Sequence, residues 1–173
     1  MNNTIMKVGF GGSCHWCTEA IFLSILGVKS VAQGWVSGEG NAESFSEAVI
    51  VEYNSLEISL QDLIAIHLHT HSCTSSHNMR NKYRSAVYYF NAEQEKMAKA
   101  GINFIQLEYM SRIITEVIAY KDFKLNTEQY RNYYFSNPEK PFCENIVNPK
   151  LRLLLTKFSK HVNHSRLKHL TAN

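Results

Sequence analysis

Met6-Lys7-Val8-Gly9-Phe10-Gly11-Gly12-Ser13-Cys14-His15-Trp16-Cys17 sets the first unit of the chain. Met6 to Phe10 is a short apolar run, and Gly11-Gly12-Ser13 breaks it. Beyond the break Trp16, Ala20, Ile21, Leu23 and Leu26 recur at helical spacing, with Ser13 placed to cap the helix and Gly27 to end it. The unit reads as strand, glycine turn, helix. Further on, Val28 to Val36 reads as a second strand and Gly38-Glu39-Gly40-Asn41 as a turn. Phe45 to Tyr53 reads as a third strand, Ile58 to His69 as a second helix and Ala86 to Phe90 as a fourth strand.

Strand, helix, strand, strand, helix, strand is the split βαβ, or ferredoxin-like, order. It predicts an α+β domain with an antiparallel or mixed sheet and helices on one side. The polar stretch Thr70 to Lys82 is a long loop of the kind that often carries function. A third helix is expected over Ala92 to Leu107, with Met97, Ala100, Phe104 and Leu107 inward. A short strand at Ile113 to Ile118, a short helix from Asn126 to Tyr134 and a last helix from Pro149 to about Lys160 follow. Residues 1–158 therefore read as one domain, the candidate for any catalytic role, and 159–173 as a polar, basic tail that frays.

The 173 residues suffice to bury a core without staples, and 45% hydrophobic against 19% charged residues excludes a disordered chain. Leu63 to Leu68, the longest apolar run, already contains His67 and falls far short of the roughly 18 residues of a membrane span. The start, Met1-Asn2-Asn3-Thr4-Ile5-Met6-Lys7, has no charged segment leading into an apolar core and a small-residue cleavage site. A cytoplasmic location is expected. Eighteen basic against 15 acidic residues leave a net charge of +3, too little to argue for a nucleic-acid partner. The basic residues from Lys150 to Lys168 read as a solvated helix end. Four cysteines are too few for a disulfide scaffold in a chain of this length.

Cys14 stands where a strand turns into a helix. Free backbone N–H groups there carry partial positive charge and stabilise a thiolate, so Cys14 is expected to have a depressed pKa and to act as a nucleophile. Cys14 and Cys17 form a Cys-x-x-Cys pair, which by itself fits a thioredoxin-type redox site or half of a zinc site. Zinc would need two more ligands from among His67, His69, His71, Cys73 and His77. Only His67 and His71, four residues apart, share a helix face.

Gly11 to Glu19 resembles the active-site signature of the A-type peptide methionine sulfoxide reductases: a glycine turn, the cysteine, an aromatic pair and a nearby glutamate. The resemblance continues at Ser46-Glu47-Ala48-Val49, at Lys82-Tyr83-Arg84-Ser85, at Thr127-Glu128-Gln129-Tyr130, and at Pro141-Phe142-Cys143 with Pro149-Lys150. It covers roughly residues 7 to 158. It implies that Cys14 attacks the sulfur of methionine S-sulfoxide, free or in proteins. Glu47 would act as the acid and Tyr83 would hydrogen-bond the same oxygen. Trp16 and His15 would line the methyl pocket, and Asn78 and Tyr130 would bind substrate. Cys14 would become a sulfenic acid, resolved by Cys17 or by Cys143, with Cys17 favoured for its closeness in the chain. Thioredoxin or a similar dithiol would reduce the disulfide. No cofactor and no metal are implied, and a monomer is expected.

The chain departs from the family pattern at several points. His15 stands where the family has phenylalanine, and Asn78 where it has aspartate. Lys82 replaces a glutamine. A second active-site tyrosine is missing from the shortened stretch between Trp35 and Glu47. The histidine-aspartate-proline loop reads His71-Ser72-Cys73, and Cys73 has no family counterpart. The resemblance therefore points to a divergent member. Two alternatives remain: a redox-sensing or binding module on the same fold, and a zinc-stabilised Cys-x-x-Cys module.

Overall fold

The computed structural model describes residues 4–171. Five strands run as β1 (Ile5–Gly11), β2 (Val28–Gly38), β3 (Ser46–Asn54), β4 (Ala86–Tyr89) and β5 (Glu116–Leu125). The helices are α1 (His15–Leu23), α2 (Leu60–His69), α3 (Ala92–Gln106), α4 (Tyr133–Ser136), α5 (Asn148–Lys157) and α6 (Lys168–Thr171). Strands β4, β1, β3 and β2 lie side by side, all antiparallel, which is the expected ferredoxin-like order. β5 then pairs antiparallel with β2 and parallel with β4, so the sheet closes into a barrel. Closure removes both open edges of the four-strand sheet, each of which would otherwise expose unpaired N–H and C=O groups.

Pleat parity separates two cores. Val8 and Phe10 of β1, with Val49, Val51 and Tyr53 of β3, face the helices. Ala48, Ile50, Val36, Tyr88 and Ile118 form a smaller cluster on the opposite face, within the closed sheet. Glu47 has the parity of Val49, so it lies on the helix-covered face at the end where α1 begins.

Three expectations need correction. The strand expected at Ile113 to Ile118 runs from Glu116 to Leu125. Before it, the Ile114 N–H donates to the Cys73 carbonyl at 2.7 Å, outside the ladder. The inward face of α3 is Gln94, Ala98, Gly101 and Ile105, while Phe104 is 70% and Leu107 84% exposed. This face packs on α2, where a Cβ at Gly101 would make ordinary contact with Ile64 at 3.7 Å. Finally, residues 159–171 dock on the domain. Ile25 bridges Val162, the Leu26 N–H donates to the His161 carbonyl at 2.8 Å, and the Asn163 N–H donates to the Ser24 carbonyl at 2.7 Å. Val162 and Leu167 are buried; each contributes about 1.5–3 kcal/mol by leaving water, enough to hold a segment whose average composition is polar.

Candidate active site

The turn before α1 is built for glycine. Gly12 has φ +144°, and a Cβ there would lie 2.6 Å from a carbon of the His71 imidazole. The helix cap is Cys14, not Ser13. The Cys14 carbonyl accepts the N–H groups of Cys17 (3.1 Å) and Thr18 (3.2 Å), while the Ser13 hydroxyl pairs with that of Thr18. The half-buried Cys14 thiol thus sits at the positive end of α1. Its pKa is held below the ordinary thiol value, chiefly by a hydrogen bond from the Cys17 thiol and further by the Trp16 and Cys17 backbone N–H groups. Burial and the charge of Glu47 oppose this. The same hydrogen bond between the two thiols, with burial, pushes the Cys17 thiol up. Lys150, whose ammonium donates to the Thr70 carbonyl at 2.7 Å, is the cation on the Cys17 side of the pair.

Six of the expected site residues line one cavity of about 450 Å³: Cys14, His15, Trp16, Glu47, Tyr83 and Tyr130. Asn78 does not line it; it is exposed on the turn formed by residues 77–80. Cys17 lies buried behind Cys14. Cys143 is buried at the start of a π-helical turn, Cys143–Val147, close enough for its charge to raise Cys17. The Cys73 thiol is buried apart from these and is raised by that burial.

The Glu47 carboxylate is buried and has three partners. Oε1 accepts the His15 backbone N–H at 3.3 Å and faces His15 Nε2 at 3.4 Å. Oε2 lies 3.6 Å from the Lys82 ammonium. The His15 ring is held by the Gly34 carbonyl, 2.8 Å from Nδ1, and by the edge contact of Trp35 at 5.1 Å. The indole of Trp16 stacks on Tyr133 at 3.9 Å with the planes 7° apart. Phe142 meets it edge-on at 5.6 Å. This aromatic wall is apolar and rigid, which suits a methyl group rather than a charged one.

Trp35, Lys82, Asn126 and Phe142 also line the cavity, and sequence reasoning gave them no role. One signal was available: Trp35 pairs with Glu47 in the β2–β3 register, so the two side chains share a face. The other three approach from the loop before β4 (Lys82), the end of β5 (Asn126) and the C-terminal turns (Phe142), where no periodicity reports them. The histidines in and just after α2 pack on one another and on the protein rather than on a metal. The rings of His67 and His71 stack at 4.2 Å, and His71 Nε2 bonds the Ser85 hydroxyl at 2.8 Å. Among the described residues no three His, Cys, Asp or Glu side chains converge as a metal ion would require.

The sequence profile of the family described as peptide methionine sulfoxide reductase matches residues 6–163. A peptide methionine sulfoxide reductase MsrA of Acinetobacter baumannii strain SDF is 31% identical over 163 residues, covering 86% of this chain and 93% of the relative. Among solved structures, reduced Mxr1 of Saccharomyces cerevisiae superposes with a TM-score of 0.73 at 20% identity, over 81% of this chain and 90% of that one. Mxr1 in complex with Trx2 superposes at 0.61 and 21% identity, over 73% and 84%. A thiol at a helix start, a buried carboxyl beside it and a family match over nearly the whole length lead to one conclusion: the chain belongs to the peptide methionine sulfoxide reductase family.

Proposed function

We propose that this protein reduces the S-epimer of methionine sulfoxide through the Cys14 thiolate, with Glu47 as acid. The convergence of Cys14 and Glu47 in one cavity, beside an aromatic wall, carries this reading. The thiolate attacks the electrophilic sulfur, the S–O bond is lost, and the oxygen leaves with one proton from Glu47 as the Cys14 sulfenic acid. The sulfoxide sulfur gains two electrons and Cys14 loses two. Tyr83 donates to the oxygen as its negative charge grows. Trp16, His15 and Tyr130 bound the methyl group, and Asn78, on the exposed turn, meets only the outer part of a peptide substrate. Cys17 then attacks the sulfenic sulfur, hydroxide leaves with the Cys17 proton as water, and a Cys14–Cys17 disulfide remains. The hydrogen bond already joining the two thiols supports Cys17 as resolver, and Cys143 stands as the thiol that would take the disulfide over.

A dithiol such as thioredoxin reduces that disulfide; the existence of a Mxr1–Trx2 complex among the structural neighbours supports this choice. The protein works as a cytoplasmic monomer in this reading. The test is turnover of a chiral methionine S-sulfoxide with thioredoxin as reductant, followed by mass spectrometry of the disulfide after a single turnover without it. Cys14→Ser is expected to abolish both methionine and disulfide. Methionine formation at the wild-type rate by Cys14→Ser would overturn the reading, and a wild-type protein that forms disulfide with peroxide but never with the sulfoxide would make it a sensor instead.

A further inference from the structure

His15 Nδ1 lies 2.8 Å from the Gly34 carbonyl oxygen. A carbonyl only accepts, so Nδ1 carries the hydrogen and the ring is fixed in one tautomer when neutral. The carbonyl cannot swing away, because at Gly34 β2 runs so close to β5 that a Cβ would fall 1.9 Å from the Lys124 carbonyl oxygen. Nε2 is then left to face Glu47 Oε1 at 3.4 Å, with the two side chains only 6% and 7% exposed. A lone pair against a carboxylate would repel. One proton between the two atoms, on either of them, makes the contact favourable.

We propose that His15 and Glu47 act as one proton-sharing pair, in which His15 Nε2 holds and returns the proton that Glu47 passes to the sulfoxide oxygen. The inference rests on the reading of Cys14 and Glu47 given above and deepens it. His15 is a positioning residue here, acting through Glu47. Other charged or titratable groups surround the pair. Cys14 faces it from α1, Lys82 and Tyr83 from the loop before β4, and Tyr130 from the 3-10 turn Glu128–Tyr130. Lys124 of β5 pairs with Trp35 and lies over the Phe45 ring, and Arg84 is tied to Ser44. Glu19 of α1 is taken up by Gln33 and by the N–H groups of Asn132 and Tyr133. Lys82 lies against the other oxygen of Glu47 and the His15 backbone N–H at Oε1 does not titrate, so among the described side chains Nε2 is the one placed to exchange a proton at Oε1.

The proton balance closes over the cycle. One proton leaves the pair with the oxygen as the Cys14 sulfenic acid, leaving neutral His15 and the Glu47 carboxylate. Disulfide formation is proton-neutral, since the Cys17 proton departs in water. Reduction by a dithiol returns two protons: one stays on Cys17, and the second, not kept by the Cys14 thiolate, reloads the pair.

The experiment is single-turnover methionine formation from the S-sulfoxide across pH, for wild type, His15→Phe and His15→Asn. The asparagine amide N–H can keep the Gly34 bond but offers nothing at the Nε2 position. Both variants are expected to be slower by about tenfold at neutral and alkaline pH, a modest share of a general-acid contribution. The deficit should shrink as the pH falls, because bulk acid can supply the proton that Nε2 no longer returns. A rate lowered by the same factor at every pH, or an His15→Asn profile that overlays the wild type, overturns the pair and leaves a packing role. A wild-type protein that forms no methionine overturns the functional reading itself, and the pair with it.

Discussion

Cys14 differs from the other three thiols by where it sits in the chain. Cys17, Cys73 and Cys143 are all pushed up, burial contributing to each, whereas Cys14 is pulled below the ordinary thiol value of 9.0. A lowered folded pKa means that thiolate persists as the pH falls below 9.0, where an unperturbed thiol would already be protonated. Iodoacetamide at neutral pH should therefore label Cys14 first in the reduced protein, with labelling declining only at pH below the ordinary thiol range. Cys17→Ala removes the leading hydrogen bond and should move that decline to higher pH. Peptide mapping by mass spectrometry reads both; equal labelling of Cys14 and Cys143 would contradict the placement. Glu47 owes its setting to a simpler rule. On a strand the side chains alternate, and Glu47 shares its face with the buried Val49 and Val51.

Between elements, the loop from α2 to β4 has no ladder to satisfy its backbone, and one side chain reaches four carbonyls in and beside it. Arg80 donates from Nε to the Ser75 carbonyl at 2.8 Å and from Nη2 to Ser72 at 2.6 Å. Its Nη1 donates to Gly12 at 2.8 Å and Tyr83 at 2.9 Å. Unpaired carbonyls in that half-buried loop would otherwise cost about 1–3 kcal/mol each. The guanidinium thus ties the turn before Cys14 to the segment that carries Tyr83 and Lys82. Arg80→Met should lower kcat/KM on the order of 10–100-fold, because ångström-scale misplacement near reacting groups is that costly. It should also open the 72–82 segment to limited proteolysis. Arg80→Lys should restore little, since one ammonium cannot span four acceptors. Unchanged kcat/KM in Arg80→Met would show that the loop is held without it.

Across the whole molecule, the closed sheet and its helices bury two imidazoles. Burial pushes His71 down to about 4 and His67 well below the ordinary value of 6.5; the two rings repel each other's charge, and Lys150 and Arg80 add to the effect. Both are neutral in the fold near pH 7, and the unfolded chain binds these protons first as the pH drops. Their contribution to stability is therefore complete above pH 6.5 and is lost progressively as the pH falls from 6.5 towards 4. The melting temperature should fall over that window. His67→Phe removes one titrating group and an unpartnered buried Nε2, and places a ring beside Phe10, whose centroid lies 4.8 Å away. It should flatten the decline; an equally steep decline in the variant would assign the acid sensitivity elsewhere.

Two kinds of information separate cleanly in this protein. Local chemistry was readable in the chain: glycines before Cys14, a helix period after it, strand parity at Glu47 and the four-strand order of the split βαβ core. Each depends on neighbours within a turn or a pleat, so each leaves a period or a spacing. The closing strand, the inward face of α3, the docking of residues 159–171 and the exposure of Asn78 depend on surfaces that meet across the fold. β5 alternates weakly because its place is set by two free sheet edges. Phe104 and Leu107 point outward because the face of α3 that meets the core is the one carrying Gln94, Ala98, Gly101 and Ile105. Val162 finds its site beside Ile25, just past the end of α1, and Leu167 is buried in the main core. Sequence alone settled which thiol meets the positive end of a helix; tertiary structure decided what stands opposite it, because the facing groups come from segments whose only common property is the cavity they enclose.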